Sequence, residues 1–273
     1  METLGYSSDA EVIYLAGQNL STIEWNAFHS FKSLRMLELS IKIISSLDYR
    51  TIQGLTNLRG IILLNNSLES LDFRTFQGLK DLAFLTLAGN RLTSIDERLF
   101  DDLDNLQTLE LSNNRLTKLD ERTFNKLENL ISLNLDSNKL ASLDEKIFQG
   151  LTEIIGLSLS NNQLESLDYS IFQDLESLTN LQLNNNQLTL LDNRLFRNAK
   201  NLKWIFLNDN KLTTLPFDIF EGLGNLGRLL LQNNQITSLN YLTFNMICLK
   251  ELDLSNNPIK VNQMTLNGCV FVY

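Results

Sequence analysis

Residues 109–124 read L-E-L-S-N-N-R-L-T-K-L-D-E-R-T-F, and this stretch decides how the chain folds. Its skeleton, L-x-L-x-x-N-x-L-x-x-L-D-x-x-x-F, recurs with a period of 24 residues. The chain contains eleven copies, and a fixed period of this length predicts a solenoid of stacked repeats. The residues equivalent to the marker Asn114 are Gln18, Lys42, Asn66, Asn90, Asn138, Asn162, Asn186, Asn210, Asn234 and, after one repeat of 23 residues, Asn257.

The first half of each unit predicts a short strand. Leu109 and Leu111 alternate with polar residues, which is the two-residue period of a strand with one buried face. A single short strand must pair with the strand of the next repeat, so we expect a parallel sheet along one side of the solenoid. Asn114 follows at a bend, where an inward-pointing amide can donate to and accept from backbone groups that would otherwise be buried unpaired.

The second half of each unit predicts short helical or irregular turns on the opposite side. A phenylalanine lies ten residues after the marker in all but one of the first ten repeats, where Ile52 replaces it. A large ring at a fixed position is expected to fill the interior behind the strands and not to contact a cofactor. These rings are Phe28, Phe76, Phe100, Phe124, Phe148, Phe172, Phe196, Phe220 and Phe244.

An acidic residue lies six positions after the marker in eight successive repeats, and an arginine or lysine often follows two positions later. One interpretation is a ladder of cation sites. We favour a second one, because an aspartate directly before a short turn commonly caps it and contributes about 1 kcal/mol. The acidic residues are Glu24, Asp48, Asp72, Asp96, Asp120, Asp144, Asp168 and Asp192.

The composition of the chain disfavours some classes of binding partner. The chain of 273 residues is 43% hydrophobic and carries a net charge of -9, so binding to nucleic acid or to an anionic membrane is disfavoured. It contains no apolar run long enough to span a bilayer. The first residues, M-E-T-L-G-Y-S-S-D, lack the basic and apolar segments of a secretory signal, which favours a cytoplasmic setting unless the sequence is a piece of a longer chain.

The pattern L-x-x-L-x-L-x-x-N-x-L-x-x-L-x-x-x-x-F-x-x-L, with F-Q-G-L at 76–79 and 148–151, resembles the 24-residue "typical" class of animal leucine-rich repeats. It is similar to the repeats of Toll-like receptor ectodomains, Slit-type proteins and variable lymphocyte receptors, although their cysteine-rich caps are missing here. The resemblance implies an α/β repeat fold, a leucine-rich repeat solenoid shaped as a curved horseshoe, with a parallel β-sheet on the concave face and short helical or irregular turns on the convex face. It also implies an extracellular or cell-surface setting and a protein or glycan ligand on the concave sheet. We place a tail at residues 1–9, the solenoid at 10–260 and a C-terminal tail or degenerate cap at 261–273.

The chain has too few histidines and cysteines for the common catalytic and zinc sites. One histidine and two cysteines cannot form a Ser-His-Asp or Cys-His site, or a four-ligand zinc site, so we expect no enzyme activity, no metal and no cofactor. Residues 222–227 spell the dinucleotide fingerprint G-x-G-x-x-G, but Leu223 and Leu226 within it are in repeat register. Cys248 and Cys269 allow two interpretations, a disulfide that contributes about 3 kcal/mol or two reduced thiols.

The outward positions of the predicted strands carry the candidate binding surface, because they vary between repeats whereas the scaffold positions do not. Aromatic side chains together with an arginine dominate many protein interfaces, and such a cluster is expected near the C-terminal half. A second apolar area is expected near the N-terminus, where shielding of an edge or self-association is an alternative explanation. The candidate ligand-binding residues are Trp204, Phe206, Arg228, Leu230, Gln182 and Phe84.

We therefore expect a non-enzymatic module that binds a protein, or less readily a glycan, through the concave sheet. Two alternatives stay open: a structural or adhesive protein that self-associates through uncapped ends, and an intracellular leucine-rich repeat scaffold or adaptor. The N-x-S sequons at Asn19 and Asn65 are compatible with an extracellular glycoprotein. Nucleic-acid partners and membrane insertion are not expected.

Overall fold

A computed structural model describes residues 6–15, 22–40, 44–244, 247, 249–259 and 271–272. The predicted strand is present in each described repeat, and short 3-10 helices at Tyr49–Thr51 and Tyr241–Phe244 lie among the turns that join the strands. The strands are β1 (Val12–Tyr14), β2 (Met36–Glu38), β3 (Gly60–Ile62), β4 (Phe84–Thr86), β5 (Thr108–Glu110), β6 (Ser132–Asn134), β7 (Gly156–Ser158), β8 (Asn180–Gln182), β9 (Trp204–Phe206), β10 (Arg228–Leu230), β11 (Glu251–Asp253) and β12 (Phe271–Val272).

The chain divides into two compact units, Met1–Asn134 and Leu135–Tyr273. In the first unit, β1 to β6 pair in parallel in sequence order, and in the second unit β7 to β12 do the same. The register follows the sequence period: Leu109 pairs with Leu85 on one side and with Leu133 on the other. Each unit is thus a solenoid of stacked turns with its leucines in line, which confirms the predicted fold class.

Asn114 illustrates how the buried asparagines hold consecutive turns together. Its Nδ2 donates to the carbonyl oxygens of Leu111 in its own turn and of Leu87 in the preceding turn, both at 3.0 Å. Its Oδ1 accepts from the backbone N–H of Leu92 at 3.1 Å. One side chain therefore satisfies buried donors and acceptors in two turns, as the sequence predicts. Asn90, Asn162, Asn186, Asn210 and Asn234 repeat this pattern.

The phenylalanines of successive turns form stacks behind the strands. In the second unit, Phe172 and Phe196 are parallel within 7° with ring centroids 6.3 Å apart, and Phe196 and Phe220 are parallel within 6° at 6.2 Å. These rings are almost completely buried. Their role as packing elements is therefore confirmed.

The residue before the marker asparagine has a conformation that the leucine pattern does not reveal. In eight described turns its φ lies between 52° and 58°, the left-handed region in which asparagine and aspartate are tolerated better than most residues. This explains why doublets such as Asn113-Asn114 recur: the first residue makes the bend and the second is buried. Gly89 takes this place in one turn, with φ of 67°, and leaves room for the Asn65 side chain beside it.

Several sequence predictions concern residues outside the described part of the chain. In the C-terminal segment 261–273, expected as a tail or cap, the structure describes Phe271–Val272, which pair in parallel with β11. Asn65, the second sequon, lies on an exposed turn. Of the residues singled out in the sequence analysis, five lie outside the described part: Gln18, Asn19, Lys42, Cys248 and Cys269.

Candidate functional site

The first and third residues of each three-residue strand form the exposed sheet face. The middle residue points into the core: Leu109 is fully buried, whereas Thr108 and Glu110 are partly exposed. Because paired strands are in register, first-position residues of neighbouring strands form one row and third-position residues form a second row.

An aromatic–arginine patch, defined as Trp204, Phe206, Arg228 and Leu230, lies on this face in the second unit. Trp204 and Arg228 are register neighbours in the first row, and Phe206 and Leu230 are neighbours in the second row. The Trp204 side chain is 47% exposed, and Phe206 and Leu230 are partly exposed. Arg228 donates its Nε–H to Glu251 Oε2 at 2.6 Å, and Glu251 is the next residue of the same row, on β11.

The strands that precede the patch in the second unit carry small or polar residues on the same face. Gln182 is the register neighbour of Phe206, and Asn180 is the register neighbour of Trp204. One strand further, the corresponding residues are Ser158 and Gly156. Gln182 therefore lies at the boundary between a polar surface and the aromatic–arginine patch.

Phe84, the sixth candidate residue, lies on β4 in the first unit. Its register neighbours are Gly60 and Thr108, so it is not adjacent in register to any of the other five candidates. It shares the exposed face with Ile62 and is partly exposed. Phe84 thus belongs to the apolar area of the first unit, which also includes the 57% exposed Tyr14.

The acidic column adopts the capping geometry that the sequence favours. Asp72 Oδ1 accepts from the backbone N–H of Arg74 at 2.9 Å, and the Arg74 guanidinium donates to both carboxylate oxygens at 2.8 and 2.6 Å. Asp144 and Asp168 accept from the backbone N–H two residues later in the same way. Each aspartate of the column therefore caps its own turn, which favours capping over cation binding.

The arginines of this column also contact the preceding turn, a contact that inspection of the leucine pattern misses. The Arg74 guanidinium lies 3.9 Å from the ring centroid of Tyr49, and Arg194 lies 3.7 Å from that of Tyr169. In both pairs the arginine follows the aromatic residue by 25 residues. This spacing is the signal that could have identified the contacts, which are cation–π interactions between neighbouring turns.

We expect acid to weaken the fold through these aspartates. Hydrogen bonds from Arg74 hold the pKa of Asp72 at about 2, below its ordinary 3.8, and those from Arg194 do the same for Asp192. Because the folded-state pKa is lowered, this stabilisation is complete above pH 4 and is lost as the pH falls from about 4 towards 2. Urea unfolding midpoints should drop over this range.

The matched variant for this prediction is Asp72→Asn/Asp192→Asn, since asparagine still caps a turn but does not titrate. Its midpoint should depend less steeply on pH than that of the wild-type chain, and the two curves should converge near pH 2. Parallel curves throughout would show that other carboxylates cause the acid sensitivity.

Signs of other chemistry are sparse in the described part of the chain. Burial raises the pKa of Glu110, but its register neighbours are Thr86 and Asn134, so no second carboxylate adjoins it in its row. Among the described residues there is no group of three or more His, Cys, Asp or Glu residues arranged to hold a metal ion. Within the same residues, no helix is long and apolar enough to cross a membrane.

A parallel sheet of three-residue strands, buried asparagines and stacked rings defines a class of repeat protein, the leucine-rich repeat solenoids. Sequence profiles described as leucine-rich repeat match residues 41–92, 82–140, 128–188 and 176–236, and a second one matches residues 248–269. The chain belongs to the leucine-rich repeat family. Domains of this family are commonly protein-interaction modules and are generally not enzymes.

Two solved structures illustrate the likeness. A chain of the Drosophila Toll–Spatzle complex is 24% identical, with a TM-score of 0.62 over 89% of this chain and 38% of that one. The leucine-rich repeat domain of APL1B is 23% identical, with a TM-score of 0.71 over 94% of this chain and 79% of that domain. At these identities the likeness concerns the fold, and the present chain spans well under half of the Toll–Spatzle chain. No curated protein sequence matches the chain.

Proposed function

We propose that the protein is a non-enzymatic recognition module that binds a protein partner through the aromatic–arginine patch of its second unit. The observation that supports this most is Trp204, a large aromatic side chain that is 47% exposed beside Arg228, next to strands that carry small or polar residues on the same face. An exposed tryptophan costs solubility unless a partner covers it, and tryptophan and arginine are the residue types that most often dominate binding energy.

The strand geometry supports the proposal further. Trp204, Phe206 and Leu230 rise from strands whose middle residues, Ile205 and Leu229, are fully buried. Their backbone is hydrogen-bonded on both sides, so the patch is held by a rigid sheet. A preorganised surface loses little conformational entropy on binding.

The decisive experiment is a pull-down with the wild-type chain and the Trp204→Ser/Phe206→Ser variant, from both cell lysate and conditioned medium. We expect a partner that the wild-type chain retains and the variant loses, since truncation of an interface anchor costs about 2 kcal/mol or more. The matched control is Leu190→Ser/Phe217→Ser, which removes two side chains of the same unit that are 60% and 56% exposed and lie outside the strands. Circular dichroism must first show that all three chains fold alike.

The source of the partner separates the remaining alternatives. A partner from the medium supports the extracellular or cell-surface setting that we propose, whereas one from the lysate supports an intracellular adaptor. Equal recovery by the wild type and the patch variant would contradict the proposal. Recovery of further copies of the chain alone would favour self-association, for which the apolar area around Tyr14 and Phe84 is the candidate surface.

A further inference from the structure

A shallow groove of about 380 Å³ lies beside the aromatic–arginine patch, wholly within the second unit. Its lining includes Trp204 and Arg228 together with the residues directly before β9, β10 and β11. Those residues are Lys203, Gly227 and Lys250, and they are joined in sequence by backbone hydrogen bonds: the Gly227 N–H donates to Lys203 O at 2.9 Å and the Lys250 N–H donates to Gly227 O at 2.7 Å.

Gly227 keeps the groove open between the two lysines. A Cβ at this position would lie 3.8 Å from Lys203 O and 4.0 Å from Lys250 Cδ. Any longer side chain would fill the space between the lysines, where neighbouring strands are only about 4.8 Å apart. Gly227 therefore lies between the backbones of Lys203 and Lys250 and adds no side chain of its own to the groove.

The charge of the groove is opposite to that of the chain. Lys203, Arg228 and Lys250 face a single carboxylate, Glu251, among the charged lining residues, whereas the whole chain has a net charge of -9. Neither lysine forms an ion pair with any described residue. A locally basic groove on an acidic protein attracts an acidic segment of a partner and repels basic ones.

The geometry of Arg228 adds a directional donor to this charge. Its Nε–H is used by Glu251, while its two terminal nitrogens donate to no described residue. Because a guanidinium presents its donors in a planar fork, these two nitrogens can still pair end-on with one incoming carboxylate. That carboxylate would sit beside the Trp204 ring.

We propose that the groove binds an acidic segment of the protein partner, with its carboxylates at Lys203, Lys250 and Arg228 and an adjacent apolar side chain on Trp204. This inference rests on the proposed function and specifies the chemistry of the partner. A basic segment is disfavoured as an occupant, because Lys203, Arg228 and Lys250 would repel it.

The experiment is selection of a random peptide library on the intact chain, with parallel selections on Lys203→Glu/Lys250→Glu and on Trp204→Ser. The control is Lys139→Glu/Lys200→Glu, which makes the same charge change at two exposed lysines of the same unit that are also without an ion pair to a described residue. We expect the wild-type chain to enrich peptides that combine acidic with apolar residues. Their affinity should fall about tenfold or more in the groove variant, be nearly unchanged in the control and weaken as salt is raised.

Each outcome separates this inference from the proposed function. Peptides that require Trp204 but show no excess of acidic residues, or acidic peptides that bind the groove variant as well as the wild type, would overturn the inference and leave the proposed function standing. Acidic peptides that require the lysines but not Trp204 would support the groove and count against the patch. If no enriched peptide requires either, the inference is wrong, and the pull-down decides the proposed function.

Discussion

The substitution Phe196→Ala should lower the free energy of unfolding by about 3–5 kcal/mol, the usual cost of deleting a fully buried aromatic ring. Phe196 is completely buried between two parallel rings, Phe172 at 6.3 Å and Phe220 at 6.2 Å. A cavity here cannot be filled by a neighbour without breaking the stack on one side. Because each repeat contacts only its neighbours, the damage should concentrate in the adjacent turns.

Urea unfolding measures the loss, and hydrogen exchange shows where it falls. Phe217→Ala is the matched control, since Phe217 is a phenylalanine of the next turn that is 56% exposed, and its loss should change stability by no more than about 0.5 kcal/mol. Phe196→Leu keeps most of the volume and should cost less than Phe196→Ala. Equal losses at positions 196 and 217 would mean that the stack does not stabilise the fold.

The register of the strands could be predicted from the sequence because the period is constant. A leucine pattern that repeats every 24 residues places Leu109 between its counterparts Leu85 and Leu133, and no long-range contact has to be guessed. The same period makes Trp204 the register neighbour of Arg228 and Phe206 that of Leu230. In a regular repeat protein each turn contacts only its neighbours, so the period alone predicts which residues pair.

The contacts that the sequence analysis did not predict join residues whose separation in the sequence differs from the 24-residue period. The guanidinium–aromatic contacts join residues 25 apart, such as Phe73 and Arg98 at 4.0 Å, so they cross from one column of the repeat to the next. Where Glu97 takes the aromatic place, Arg122 pairs with its carboxylate instead. Arginines of this column thus contact the preceding turn either through a cation–π interaction or through an ion pair. The structure shows that Phe73 and Glu97 occupy equivalent positions in these contacts.

The groove escaped prediction for a related reason. The last repeat is shortened to 23 residues, and this shift places Glu251 in the row of Trp204 and Arg228. In the sequence, Gly227 stands out only as part of a dinucleotide fingerprint, whereas in the structure it lines the groove between Lys203 and Lys250. We therefore expect the irregular repeat to contribute to the specificity of partner binding.

The substitution Asn114→Leu should destabilise the first unit by more than about 3 kcal/mol, because it removes the partners of several buried backbone groups at about 1–3 kcal/mol each. The carbonyl oxygens of Leu87, Leu111 and Ser112 lose a donor at 3.0–3.3 Å, and the N–H of Leu92 loses its acceptor. Leucine shares the branched shape of asparagine, but it is larger and offers no polar atom. Two turns should therefore loosen together.

Thermal and urea unfolding of Asn114→Leu, read against Asn125→Leu, provides the test. Asn125 is an exposed asparagine of the same unit, and its side chain forms no hydrogen bond to a described residue, so the control change should be nearly neutral. Amide exchange should accelerate at Leu92 and at the turn before it, since these lie on the two sides of the lost side chain. If both variants unfold alike, the asparagines only shape the bend, and the leucines and phenylalanines alone hold the turns together.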